Sequence, residues 1–432
     1  MIIERKHYLN KLISKKENGL VKVITGIRRS GKSFLLFKLY HSYLNSIGIQ
    51  DKYIIELELD SFTNIKYRNP LELGSYIKNL IEEKDKTYYV FLDEIQAVEE
   101  IQNPYIQNKK STVGFVDVLL GLMNIKNLDI YVTGSNSKML SSDIITEFRG
   151  RGDEIRVYPL SFKEFYDHFE GDKNNAWKQY YTYGGMPKVA LLNSHEEKSE
   201  YLKTLFQKTY FTDIIEHNKI KNEDIIKDLL NFIASNIGSL TNPLKLSNTF
   251  KTVKKISVSP ATISKYLDYF IDAFIIKKIH RYDVKGRKYI DTPLKYYFTD
   301  VGLRNAMLGF RQNEENHIME NIIYNELLLR GFDIDIGVVE YSHEDEKGKY
   351  VRTYFEIDFI ANKGSSKYYI QSALNIETKE KREQETQSLN RINDSFKKIV
   401  VIKDDIIPWH DDKGILYLGI QEFLLNPGSI DL

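Results

Sequence analysis

Gly26, Gly31, Lys32 and Ser33 stand in the spacing G-x-x-x-x-G-K-S within VKVITGIRRSGKSFLLFKLY. An apolar run precedes them and a helix-like run follows, which is the context a phosphate-binding loop needs. Glycines let main-chain N–H groups turn inward around phosphates, the helix N-terminus adds positive potential, and Lys32 reaches the outer phosphates. The candidate nucleotide contacts are Gly26, Ile27, Arg28, Arg29, Ser30, Gly31, Lys32, Ser33 and Phe34, with the Ser33 hydroxyl on magnesium. A bare match to this pattern also fits a chance glycine-rich turn.

A second motif argues against chance. YYVFLDEIQ is an apolar run that ends in Asp93 and Glu94. One carboxylate can complete a magnesium shell while the other orients or deprotonates an attacking water. A third run, DIYVTGSNS, ends in Ser135 and Asn136, either of which can hold that water near the γ-phosphate. In FRGRG, Arg149 and Arg151 are flanked by glycines ahead of the next strand, a placement suited to an arginine that reaches a neighbouring chain's nucleotide.

These residues need a sheet to bring them together. Strands are expected at Leu20 to Thr25, Tyr53 to Leu59, Tyr88 to Asp93, Asp129 to Thr133 and Glu154 to Tyr158, alternating with amphipathic stretches as in a parallel sheet covered by helices. From Pro159 the pattern turns helical, broken by YGGMP at Tyr183 to Pro187. Three helices and a hairpin turning at Gly286 follow between Asp224 and Leu308, the order of a winged helix. The third of these helices starts at Ser259-Pro260 and places Ile263, Leu267, Phe270, Ile271 and Phe274 on one face.

Bulk composition narrows the classes. A chain of 432 residues is long for one core, since single cores rarely exceed ~250–300 residues. With 42% hydrophobic and 28% charged residues it has the makings of packed domains, not of a disordered chain. Sixty-one basic against sixty acidic residues leave +1, so overall charge points to neither nucleic acid nor membrane. Cysteine is absent, which excludes disulfides, thiolate metal sites and cysteine nucleophiles and favours a reducing cytoplasm. MIIERKHYLNKLI mixes charge into its apolar positions, unlike a signal peptide, and no apolar run reaches the roughly 18 residues of a membrane helix.

One local patch departs from this balance. From Lys251 to Ile290 ten lysines and arginines face three aspartates, a net of +7. Lys285, Arg287 and Lys288 on the hairpin and Lys265 on the third helix are candidate DNA-phosphate contacts. Subunit packing is the plainer use of such a domain, and Asp268 and Asp272 would repel DNA from the helix.

TGIRRSGKS, VFLDEIQ, YVTGSNSKMLS, FRGRG, PLSFKEF and YGGMP together resemble the AAA-type ATPases of bacteria and archaea that end in a poorly characterised C-terminal domain. The resemblance implies ATP and Mg²⁺ as cofactors, Lys32 and Ser33 for nucleotide and magnesium, and Asp93 and Glu94 for magnesium and hydrolysis. It also implies Asn136 or Ser135 as the γ-phosphate sensor, and Arg151 matches the family's glycine-arginine position. We assign Asp93 with Ser33 to the metal and Glu94 to water, and expect a homo-oligomer. The loop Val98 to Val113 is longer than that family usually has.

The last segment resembles the PD-(D/E)xK nuclease fold, with Glu320 on its first helix and Glu356 and Asp358 on one face of the strand YFEIDFIA. Gln371, Ser372 and Ala373 stand where that fold would place an acid, a spacer and a lysine, and only Lys363 and Lys367 in the nearby loop offer a substitute. No DNA cleavage is expected. The fold class expected is α/β: a P-loop parallel-sheet ATPase core (1–158), a helical lid (159–223), a winged helix (224–308) and a nuclease-like α/β domain (309–432). The function expected is a cytoplasmic ATPase that switches contacts of its C-terminal half. An ATP-responsive DNA-binding regulator and an ATP-gated nuclease are the alternatives.

Overall fold

Runs of branched and aromatic residues form β1 (Val21–Thr25), β2 (Ile54–Glu58), β3 (Tyr88–Asp93) and β4 (Leu128–Gly134) in the first part of the chain, and the more polar GDEIR forms β5 (Gly152–Arg156). The structure, a computed structural model, describes residues 2–106, 111–135, 150–311, 314–344 and 348–432. It divides into one unit of Met1–Pro159 with Asp272–Phe274 and another of Leu160–Ile271 with Ile275–Leu432.

In the first unit the strands are all parallel, in the order β2-β3-β4-β1-β5. Every residue of β1 and β3 is buried, as expected for parallel strands covered on both faces. The register brings the strand ends level, with Thr25 opposite Gly134 and Arg156, and Leu92 opposite Val132. Because β4 lies between β1 and β3, the loops that leave these three strands open side by side. Such a crevice at the carboxyl ends of strands is where ligands bind in open α/β sheets.

Helices α1 (Lys6–Ser14), α2 (32–46), α3 (Pro70–Asn79) and α4 (Phe115–Met123) belong to this unit. The middle turn of α2, Leu35–Tyr40, is wound as a π-helix. Asn69 starts α3 by accepting the Leu71 N–H at 2.9 Å, with proline in the first turn. Leu73 and Ile77 of α3 and Val118, Leu119 and Leu122 of α4 pack on Val21, Val23, Val90, Leu92 and Val132. Part of the long loop after β3 is a short antiparallel ladder of Ile101–Gln102 with Thr112–Val113.

The second unit begins with α5 (Phe162–His168), capped reciprocally by Ser161 and Glu164, and continues through α6 (Ala176–Tyr183). Gly184 ends α6 at φ +72°, and a Cβ there would lie 2.3 Å from Asp300 Oδ1. Asp300 accepts the N–H groups of Gly185 at 2.7 Å and Leu303 at 2.9 Å, so the YGGMP turn is fastened onto the start of a later helix. A helical stretch over 195–218, wound as a π-helix at Phe206–Phe211, leads to α7 (Glu223–Ser235), α8 (Pro243–Thr249) and α9 (Pro260–Asp272), then the hairpin β6 (Ile276–Asp283) and β7 (Lys288–Phe298). Thr241, between α7 and α8, bridges Leu294 of β7. Ile263, Leu267 and Phe270 are buried on α9, whereas Phe274 lies beyond its end at φ +58° and is counted with the first unit.

The remainder comprises α10 (Val301–Met307), α11 (Glu315–Leu329), β8 (Asp333–Glu344), β9 (Tyr350–Lys363), β10 (Ser366–Ala373), α12 (Lys379–Thr386), β11 (Lys397–Ile402), β12 (Trp409–His410), β13 (Leu416–Gly419) and α13 (Ile420–Leu425). Among the described residues one eight-stranded sheet runs β12-β13-β11-β10-β9-β8-β6-β7. The hairpin is therefore the outer pair of strands in the same sheet as the last segment. β6 joins β8 in parallel from Arg281 opposite Ile336 to Asp283 opposite Val338. A strand edge presents unpaired N–H and C=O groups, and β8 covers that of β6. The highly charged stretch 377–393 forms only the short α12 and a turn at Leu389–Arg391.

Candidate active site

The loop from Gly26 to Lys32 joins β1 to α2. Gly26 adopts φ +140°, and a Cβ there would lie 2.1 Å from the Val157 carbonyl oxygen, so only glycine lets this loop start beside β5. Gly31 takes φ +96° at the first turn of α2. The Lys32 ammonium is buried and donates to the carbonyls of Gly26 at 2.9 Å and Ile27 at 3.2 Å. Burial pushes it below its ordinary pKa, opposed by the charges of Glu94 and Asp93.

Asp93, at the tip of β3, is bonded by the hydroxyls of Thr133 and Ser33. Burial raises its pKa against those two hydrogen bonds. Glu94 sits one residue on at φ +51°, with its N–H on Thr133 Oγ1 at 3.0 Å. Its Oε2 accepts from Ser135 Oγ at 3.2 Å and from the Gln96 amide. Lys32, Ser33, Asp93, Glu94 and Ser135 thus meet at one edge, each carboxylate with its own hydroxyl or amide support.

These residues fit a magnesium nucleotide. Ser33 and Asp93 offer hard oxygen donors bonded to each other at the start of α2, which is the ligand chemistry magnesium prefers. Lys32 is tied to neutral carbonyls that a phosphate can replace. Ser30 Oγ is buried with no hydrogen-bond partner among the described residues. Ile27 is buried, Arg28 is half-buried, Arg29 is exposed at φ +63° and Phe34 is exposed.

The profile of a family described as "AAA domain" matches residues 18–166, and one described as a domain of unknown function (DUF8612) matches residues 174–314. An uncharacterized protein of Haemophilus influenzae is 35% identical over 405 residues, 93% of each chain. Another, from Methanocaldococcus jannaschii, is 29% identical over 381 residues, 84% of this chain and 77% of that one. The chain belongs to the AAA-type P-loop ATPases. Among solved structures, the Aeropyrum pernix Orc1 protein in complex with DNA aligns with 72% of this chain and 93% of its own, at 11% identity and a TM-score of 0.29.

In this AAA-type ATPase Arg151 lies at the start of β5, its carbonyl accepting the Val21 N–H at 3.1 Å. Val21 opens β1 and the P-loop follows its other end. The strand between spans ~17 Å at about 3.3 Å per residue, so Arg151 is far from the P-loop edge of its own chain. Asn136 and Arg149 lie outside the described residues. Sequence reasoning assigned no role to Thr133, Gln96 or Arg5. The first two stood inside quoted motifs as hydroxyl and amide neighbours of the acids. Arg5 donates to the Ser30 carbonyl at 3.0 Å and the Tyr158 carbonyl at 2.7 Å, bracing the loop from two distant segments that no local pattern links.

On the hairpin of the ATPase, Arg287 and Lys288 are exposed, as is Lys265 on α9, but the Lys285 ammonium donates to the Glu340 carbonyl at 2.8 Å. Among the described residues no helix is long and apolar enough to cross a membrane.

The second unit gathers Glu320 of α11 with Glu356 and Asp358 of β9 around a cavity of about 620 Å³. Neither Lys363 nor Lys367 supplies its cation: Lys363 donates to the Arg330 carbonyl, and Lys367 lies over the Phe396 ring. Lys295 of β7 does, with Nζ at 2.8 Å from Glu320 Oε1 and 2.7 Å from Glu356 Oε1. Burial works against that ammonium, but Glu320, Asp358 and Glu356 outweigh it and raise its pKa. Burial also opposes the Glu320 charge, yet Lys295, His317 and Tyr297 bring its pKa down to about 2. Asp358 is pushed well above the usual carboxylate range by burial and by the Glu320 charge.

Proposed function

We propose that this protein hydrolyses ATP with magnesium at the P-loop edge and uses turnover, as a homo-oligomer, to switch contacts made by its residues 160–432. The observation that carries the reading is Glu94, a carboxylate held by Ser135 and Gln96 beside the Asp93–Ser33 pair. Main-chain N–H groups of 26–32 and the Lys32 ammonium would hold the phosphates. Ser33 and Asp93 would hold Mg²⁺, which neutralises phosphate charge when bound. Glu94 orients a water for in-line attack and takes its proton, and Ser135 and Gln96 restrain that carboxylate. Arg151, remote from its own site, would serve the γ-phosphate of a neighbouring chain.

The test is Glu94→Gln. Phosphate release without an added acceptor should fall by about 10²–10⁴, the usual worth of a positioned base, while ATP binding persists. Unchanged release would remove Glu94 from the mechanism, and release only with an added metabolite would make the protein a kinase.

A second reading, DNA contact by the C-terminal half, is favoured by the exposed cations Lys265, Arg287 and Lys288. Contact of this kind runs through phosphates and tolerates sequence changes.

A further inference from the structure

The nuclease-like arrangement of the last segment implies a divalent cation between Glu320 and Asp358, and the side chains present do not fit one. Glu320 Oε1 already accepts from both Lys295 Nζ and the Tyr297 hydroxyl. Its Oε2 lies 3.5 Å from His317 Nδ1. Glu356 Oε1 is taken by the same ammonium at 2.7 Å. Asp358 Oδ2 accepts the Ser372 N–H at 2.8 Å, and Gln371 Oε1, the neutral oxygen where an acid was expected, lies 3.4 Å from the Asp358 N–H as its acceptor. No group of three or more acids or histidines among the described residues is arranged to hold a metal ion.

What the acids share is Lys295. Its side chain is only 5% exposed, and it arrives from β7, the outermost strand of the sheet, on the opposite side of β6 and β8 from the acids of β9. Magnesium demands near-octahedral oxygen donors at about 2.0–2.1 Å, which this cluster could supply only after the ammonium withdrew. Withdrawal would leave buried carboxylates and a buried lysine without their counter-charges, which strongly disfavours it.

We propose that Lys295 is a built-in cation that replaces the divalent metal of this cavity, so that the wild-type site takes no metal and removing the ammonium creates one. The ligand class of the vacated cluster is a hard divalent cation, held by Glu320 and Glu356 with Asp358. The lysine also ties the hairpin to α11 and β9, and this tie is the function left to the acids once metal chemistry is gone.

The experiment measures Mn²⁺ binding by electron paramagnetic resonance on the full chain without nucleotide, for wild type, Glu320→Gln, Lys295→Met and the double variant. Wild type and Glu320→Gln should show the same Mn²⁺ binding, while Lys295→Met should gain one ion per chain that the double variant loses. If Lys295→Met melts early, Mn²⁺ should raise its melting temperature by roughly 5 °C more than that of wild type, the size expected for saturating one site. Wild-type Mn²⁺ binding that Glu320→Gln abolishes, or Mn²⁺-dependent DNA cleavage lost in Asp358→Ala, would overturn the proposal by making Lys295 a neighbour of a metal. A Lys295→Met protein with neither an added ion nor an added thermal shift would overturn it as well.

Discussion

Each unit of this ATPase buries a lysine among acids, and the two lysines are held by different partners. Lys32 donates to main-chain carbonyls, while Asp93 and Glu94 beside it are bonded by hydroxyls and an amide. Lys295 donates to Glu320 and Glu356 themselves. Exchanging a carbonyl for a phosphate gives an ammonium a stronger, charge-assisted bond. Pulling an ammonium from two buried carboxylates leaves uncompensated charge. The titration directions follow: burial wins at Lys32, whose pKa is lowered, and the acids win at Lys295, whose pKa is raised. The same residue types make a site open to an anion in one unit and a closed ion pair in the other.

The largest expected effect tests whether the open site is complete in one chain. Arg151→Ala should lower turnover by about 10³–10⁵, the worth of an arginine finger, and the parent's specific activity should climb with protein concentration. A variant as fast as its parent would mean that the first unit needs no neighbour. Lys295→Ala should cost about 3–5 kcal/mol of unfolding free energy in urea, whereas Lys32→Ala, with neutral partners, should cost about 1 kcal/mol. Equal losses would erase the contrast between the two lysines.

A third acid separates burial from pairing. Asp300 clamps the YGGMP turn with main-chain N–H groups and has no cation among the causes of its shift; burial lifts its pKa from 3.8 to about 6. Between those values the folded chain holds the proton more tightly than the unfolded chain, so this group's contribution to stability falls as pH rises from about 4 to 6. At 1.36 kcal/mol per unit the fall is about 3 kcal/mol, and Asp300→Asn should flatten that part of the pH–stability curve. An unaltered curve would place the titration elsewhere. The smallest effect is expected at the hairpin tip, where Arg287→Glu with Lys288→Glu should reduce the salt dependence of DNA binding by a slope of about 1 per lost phosphate contact. An unchanged slope would assign these cations to packing.

Much of the candidate site's local pattern is legible because the chemistry it suggests is local. The spacing of Gly26, Gly31, Lys32 and Ser33, the Asp93-Glu94 pair and the apolar runs around them each lie within about ten residues, and five strands were located to within two residues at either end. The helix start at Ser259 was readable for the same reason, since a cap reaches only three residues. What local spacing cannot encode is which strands are neighbours. The order β2-β3-β4-β1-β5 puts Thr133 on Asp93 and Ser135 on Glu94, and sends Arg151 to the far end of the sheet from its own P-loop. Pairing of β6 with β8 likewise merged the hairpin with the last segment and carried Lys295 to Glu320 and Glu356, 25 and 61 positions away in the chain. Hydrophobic periodicity states which face of an element is buried, and only the assembled sheet decides what lies against it.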